Sequence, residues 1–207
     1  MFYFVKTPWL LKAYYSGCLW NYAGDKKKLY LSFDDGPHPV ATPFILHQLE
    51  NYRARATFFC IGKNVAAEPD LYRKILDAGH KVGNHTYDHL NGWKTDDKEY
   101  FENINKAARY IDSGLFRPPY GRIKKFQLTH LTRDPLNYKV VMWDVLSGDF
   151  DQTISGDRCA ENVILNAKEG SIIIFHDSAK AFDRMKVALP KVLEYFSSKG
   201  FDFNLIG

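Results

Sequence analysis

No apolar run in this chain approaches the ~20 residues that a membrane-spanning helix requires, and the stretch from Met1 to Trp20 is broken by Lys6, Pro8 and Lys12. No apolar core followed by a small-residue cleavage site marks a secretory leader there either. Cysteine is scarce: Cys18, Cys60 and Cys159 are odd in number, far apart and without CxxC spacing. That argues against a disulfide framework and against a thiolate metal site, and favours reduced thiols. Charge imbalance is slight. With 28 Lys and Arg against 24 Asp and Glu the formal net charge is +4, too mild to point to nucleic acid, and Lys26-Lys27-Lys28 reads as a solvated approach to a strand. Neither a GxSxG elbow nor a Cys beside a His is present, so an acyl-enzyme lacks its usual signatures. We expect a soluble, cytoplasmic monomer with no disulfide, no membrane span and no nucleic-acid partner.

The 207 residues, 45% apolar and 15% aromatic, suffice for one sizeable core, and no linker, repeat or low-complexity stretch divides them. Short apolar runs predict strands near Leu29–Asp34, Ala56–Ile61, Lys81–Asn84, Leu115–Arg117, Lys139–Trp143, Ser171–His176 and Phe201–Leu205. Amphipathic segments predict helices near Thr42–Tyr52, Pro69–Ala78, Asp96–Ile111, Lys124–Thr132, Asp157–Asn166 and Arg184–Ser198, with Asp96 and Glu99 spaced as a capping box. Strict alternation of this kind implies an α/β fold with parallel strands and right-handed crossovers. The sheet is then either open and doubly wound or a barrel of fewer than eight units.

Polar constellations fall at the carboxyl ends of five of these strands, where α/β folds gather their chemistry. Asp34 and Asp35 close the first strand; alternation should turn them apart, one toward a cation and one toward a proton, although Asp-Asp-Gly-Pro is also good solvated-turn chemistry. His85 and His89, four apart, would share one face of a helical turn and could chelate a single cation. Asp35 would complete a two-His, one-carboxylate set with open positions, suited to zinc or another divalent transition metal. The run Asp149-Phe150-Asp151-Gln152-Thr153 lacks the Gly and closing Glu of a calcium loop. Arg117, on the stiff segment before Pro118-Pro119-Tyr120, is placed to clamp a carboxylate such as Asp34. His176 ends the most apolar strand, where burial would alter its protonation, and Asp149 could orient it. Trp143 and Ile174 offer apolar wall.

Ser32-Phe33-Asp34-Asp35-Gly36-Pro37, His85-Thr86-Tyr87-Asp88-His89, Arg117-Pro118-Pro119-Tyr120 and Ile174-Phe175-His176 resemble, in order and spacing, the motifs of the polysaccharide deacetylases of carbohydrate esterase family 4. The resemblance runs from Lys28 to the C-terminus, leaving residues 1–27 as an N-terminal extension of a single domain, with a catalytic barrel over 28–207. It implies a distorted (β/α)7 barrel and metal-dependent removal of N-acetyl groups from a sugar polymer such as peptidoglycan or a chitin-like oligomer. It further implies Asp34 as general base, His176 as general acid, and Asp35, His85 and His89 as ligands of Zn2+, with Co2+, Ni2+ or Mn2+ as substitutes. Arg117 and Asp149 would support the base and the acid. The Tyr120 backbone N–H would meet the oxyanion, Trp143 and Ile174 would border the acetyl pocket, and Pro119 would join them in binding substrate. Leu146 and Phe150 stand where Asp and Trp are common, which predicts an altered substrate preference. The Asn84-His85-Thr86 sequon inside the metal motif is expected to be incidental. Two rival readings are a hydrolase of small cyclic amides or imides in the same superfamily and an inactive sugar-binding module.

Overall fold

The computed structural model describes residues 3–207; Met1 and Phe2 of the expected extension lie outside the described residues. Strand β1 (Lys28–Asp34) is buried from Leu29 onward because both of its faces are covered. Leu29, Leu31 and Phe33 point outward into the main apolar cluster, and each buried side chain of this size contributes roughly 1.5–3 kcal/mol. Tyr30, Ser32 and Asp34 alternate to the other side, into the barrel. Strands β2 (Ala56–Cys60), β3 (Lys81–Asn84), β4 (Leu115–Phe116), β5 (Lys139–Val140), β6 (Val145–Leu146) and β7 (Ile172–His176) form one sheet in the order β5-β4-β3-β2-β1-β7-β6, and β8 (Asp202–Phe203) pairs with the start of β1. Every pairing between these strands is parallel. The curled sheet, flanked by helices, is the distorted barrel expected.

Outside it lie α2 (Ala41–Asn51), α4 (Pro69–Asp77), α5 (Asp97–Ala108), α6 (Lys125–Leu131), α7 (Gly156–Asn166) and α8 (Ala179–Ser198), with short α1 (Trp9–Tyr14) and α3 (Gly62–Ala67). Ile45 and Leu49 of α2 and Met185, Leu189 and Val192 of α8 meet the outer face of β1 and β7. Asp96 caps α5 by accepting from the Lys98 N–H. Helix α8 begins at Ala179 rather than Arg184.

Apart from the short α3 that precedes α4 between β2 and β3, strict alternation fails at one place. The strand expected over Lys139–Trp143 shrinks to Lys139–Val140 (β5), and a further strand not expected, β6, follows it without a helix and lies at the opposite edge of the sheet. The N-terminal segment lies along this gap. Leu19 bridges Val141 and Lys6 bridges Val145, while Tyr15, Cys18 and Trp20 pack among Phe116, Val140 and Met142. Asp144, fully buried at the turn between the two strands, accepts hydrogen bonds from Lys6 (2.6 Å), Lys12 and Ser171 (2.5 Å).

Candidate active site

The carboxyl ends of β1, β3, β4, β6 and β7 bring the expected residues together. Asp34 is the last residue of β1 and keeps its inward direction, whereas Asp35 adopts φ 84° and swings away from the strand. A Cβ on Gly36 would run into the Asp177 carboxylate, so only glycine admits this close passage of the loop. Asp35 Oδ1 is buried without a hydrogen-bond donor. Its closest polar neighbours are Nε2 of His89 at 3.2 Å and Nε2 of His85 at 3.7 Å. One ligand atom from each of Asp35, His85 and His89 falls within 4.8 Å of the others.

The helical turn predicted for His85–His89 is absent. Thr86 (φ 62°) and His89 (φ 60°) turn left-handed, and this loop, not a helix face, brings the two rings to 5.0 Å between centroids. The Asn103 side-chain oxygen Oδ1 holds the loop by accepting from the N–H groups of Tyr87 and Asp88. His85 Nδ1 lies 2.7 Å from the Arg117 carbonyl, so it carries the proton and leaves the Nε2 lone pair facing Asp35. Burial pushes the His85 pKa down to about 4, with Asp34 opposing, which keeps the ring neutral as ligation requires. His89 Nδ1 meets the Tyr120 hydroxyl at 3.0 Å. Asp35 is held well below the ordinary carboxylate range: burial works against its charge, but the His89, His176 and His85 imidazoles outweigh it. An orphaned carboxylate oxygen facing two oriented imidazole nitrogens is a donor set that fits a divalent metal with open positions.

Arg117 is fully buried, and four of its five guanidinium N–H groups are engaged. Nη1 donates to Asp34 Oδ1 (2.7 Å) and Ser32 Oγ (2.8 Å), Nη2 to Met142 O, Nε to Val141 O, and the ring of Phe59 lies 4.0 Å below. Asp34 Oδ2 stands 3.7 Å from His85 Nε2, on the side of the candidate metal ligands. Across the barrel mouth, Asp149 clamps His176 twice, accepting from its backbone N–H (2.6 Å) and bonding ring Nδ1 (2.7 Å). Burial alone would lower the His176 pKa; Asp149, with Asp35 and Asp34 beyond it, raises it to about 9.

Pro119 is buried, Trp143 is half-buried and Ile174 is buried, alternating to the same side of β7 as His176. Tyr120 has φ 60° and is largely exposed. Leu146 pairs in register with Ile174. Phe150 sits edge-on to the His176 ring at 5.3 Å and is itself braced by Tyr3 at 5.2 Å. Asn84 is fully buried with both ends of its amide engaged, so the sequon presents no accessible acceptor in the folded protein. Sequence reasoning missed three contacts: Tyr3 on Phe150, the Tyr120 hydroxyl on His89, and Thr42 donating to Asp177 at 2.6 Å. Burial pushes the Asp177 pKa up to about 8, against the Thr42 bond and with help from Asp35.

The family model for polysaccharide deacetylase matches residues 21–138. A peptidoglycan-N-acetylglucosamine deacetylase of Bacillus cereus (strain ATCC 14579) is 32% identical over 190 residues, covering 89% of this chain and 88% of the relative. A chitooligosaccharide deacetylase of Bradyrhizobium sp. (strain ANU 289) is 34% identical over 158 residues, 73% of this chain and 71% of the relative. Among solved structures, a peptidoglycan N-acetylglucosamine deacetylase bound to a naphthyl N-oxidanyl-benzamide superposes with a TM-score of 0.87 at 32% identity, over 97% of this chain and 95% of that one. The architecture, the four motifs at the strand ends and these likenesses agree: the chain belongs to the polysaccharide deacetylases of carbohydrate esterase family 4.

Proposed function

We propose that this protein hydrolyses N-acetyl groups of N-acetylglucosamine-containing polymers or oligomers, of the peptidoglycan or chitin-like kind, releasing acetate and a free amine. The carrying observation is the juxtaposition, at one barrel mouth, of the Asp35-His85-His89 donor set, the Arg117-paired Asp34 and the Asp149-paired His176. Asp35, His85 and His89 would hold a divalent metal, most simply Zn2+, which when bound would supply Lewis acidity toward the acetyl carbonyl and a water whose pKa falls toward ~7. Asp34 accepts the proton of the attacking water at Oδ2, the oxygen that Arg117 leaves free. The Tyr120 backbone N–H stabilises the developing oxyanion. His176, with Nδ1 committed to Asp149, delivers its proton to the leaving amine from Nε2. Pro119, Trp143 and Ile174 border the acetyl methyl. Phe150, in contact with His176, shapes the sugar wall and with Leu146 shifts substrate preference.

The working unit in this reading is a monomer, because every group invoked comes from one chain. Among the described residues no helix is long and apolar enough to cross a membrane. The three free, buried thiols support a reducing, cytoplasmic address, which fractionation of the native protein tests. The activity is tested by mass spectrometry of chito-oligomers and peptidoglycan fragments after incubation with zinc-loaded protein. Stepwise loss of acetyl groups with equimolar acetate is the expected result; no acetate from any of these glycans would overturn the reading.

A further inference from the structure

At the end of the barrel opposite the active site, a half-open cavity of about 590 Å³ lies between α2, α4 and the amino ends of β2 and β3. Its polar lining is cationic: Arg53, Arg55 and Lys74 converge on it together with His47 and His80, against the single carboxylate of Glu50. Among the described residues none of those three cations, nor Glu50, takes part in an ion pair. Three cations and one carboxylate leave two positive charges uncompensated, and like charges gathered in a concavity destabilise the bare fold.

His80 makes this more than a basic patch. It is 7% exposed, directly precedes β3, and packs its ring against Phe58 at 5.5 Å. Its Nδ1 accepts from the Ala56 N–H at 3.3 Å, which fixes the proton on Nε2. Among the described residues no acceptor meets that Nε2–H, and the side chain lines the cavity. Burial, together with the Arg55 charge, pushes the His80 pKa down to about 4, so the ring is a neutral donor at physiological pH. An Nε2–H donor near the Arg55 charge, in a cavity that Arg53 and Lys74 also line, repels metal cations and suits an anion. Arg55 is pre-set on the preceding turn by donating to the Ala78 carbonyl at 2.6 Å, with its other donors available.

We infer that this cavity is a binding site for a phosphoryl group, held by Arg53, Arg55, Lys74 and the Nε2–H of His80. A dianion matches the uncompensated charge, and guanidinium forks match phosphate oxygens. Leu46 and Leu71 add apolar wall, and the volume exceeds that of a bare phosphate and falls in the range of small-molecule sites; both favour a phosphate carried on an organic body. The site is independent of the deacetylase reading, since it shares no residue with the barrel mouth.

Calorimetry on the full chain at constant ionic strength tests it, with glucose 6-phosphate, inorganic phosphate and glucose as probes. We expect glucose 6-phosphate to bind, glucose not to, and inorganic phosphate to bind more weakly; equal binding of the two phosphates would identify the free anion as the ligand of the same site. His80→Asn keeps an acceptor for the Ala56 N–H but withdraws the donor from the cavity. It should weaken sugar-phosphate binding about tenfold or more, as should the exposed pair Arg53→Gln/Lys74→Gln, which removes charge without touching the core. Deacetylation should be unchanged in both. Glucose 6-phosphate binding no better than glucose, or binding that survives Arg53→Gln/Lys74→Gln undiminished, overturns the proposal.

Discussion

Asp34 and Asp35 are chemically identical neighbours, yet the left-handed turn at Asp35 sends them to different partners, Asp34 to Arg117 and Asp35 to the two imidazoles. Their isosteric variants should therefore fail differently. Asp35→Asn is expected to lower zinc affinity about tenfold or more, with partial recovery of rate in excess metal. Asp34→Asn should retain zinc while turnover falls by roughly 10²–10⁴-fold, without rescue by metal. Metal content and acetate release measured side by side decide this, and equal metal loss in both variants would remove Asp34 from the role of base. His176 offers a second separation, one of pH. Its folded pKa of about 9 lies above the ~6.5 of a free imidazole. The folded state thus binds this proton more tightly, and the associated stability is complete below ~6.5 and lost as pH rises toward 9. In the metal-free protein, NMR should show one histidine titrating near 9, and Asp149→Asn should bring that value down. A His176 that titrates near 6.5 in the parent would break the link between Asp149 and the acid.

Among the elements, the gap between β5 and β6 depends on a segment that carries little regular structure of its own. Asp144 is the anchor: a buried carboxylate with two lysines and a serine donating to it. Asp144→Ala takes the carboxylate acceptor from Lys12 and leaves Lys6 only the Asn166 carbonyl, and losing charge-assisted hydrogen bonds of this kind costs about 1.5–3 kcal/mol. Urea denaturation should show that loss, and limited proteolysis should cut the N-terminal segment earlier; unchanged midpoints would mean that the backbone bridges at Lys6 and Leu19 and the packing of Tyr15, Cys18 and Trp20 hold the segment without Asp144. The same region shows what sequence reading can reach. Strands β1, β2 and β7 were legible because they are near-continuous apolar runs of five or more residues, buried almost throughout. The two-residue strands β5 and β6 and the six-residue helices α1 and α3 have too few residues to establish a period. At the site, Asp34, Arg117 and His176 announced themselves as polar residues ending apolar runs, and Asp149 as a carboxylate shortly beyond one. The loop that unites His85 and His89 did not, since Thr86 and His89 take positive φ without a glycine to signal it. The bracing of Phe150 by Tyr3 arises only when distant segments meet.

For the whole molecule, the candidate metal set is a tie between the loops after β1 and β3, two neighbours of β2 that no hydrogen-bonded ladder joins directly. In the metal-free state Asp35 Oδ1 is buried without a donor, a cost that a bound cation removes. Any ligand that binds only the folded chain stabilises it by mass action, about 4 kcal/mol at a thousandfold excess over the dissociation constant. For a chain of 207 residues, with roughly 2–4 °C per kcal/mol, zinc should raise the melting temperature by about 8–16 °C. A chelator should reverse the shift and abolish acetate release together. His85→Gln should erase most of the shift, because the buried imidazole oriented by the Arg117 carbonyl is lost. His47→Gln, on the exposed surface of α2, should leave it intact. Scanning calorimetry with and without zinc on the parent and both variants measures this. A shift of equal size in His85→Gln would mean that the metal stabilises the protein from somewhere other than the barrel mouth.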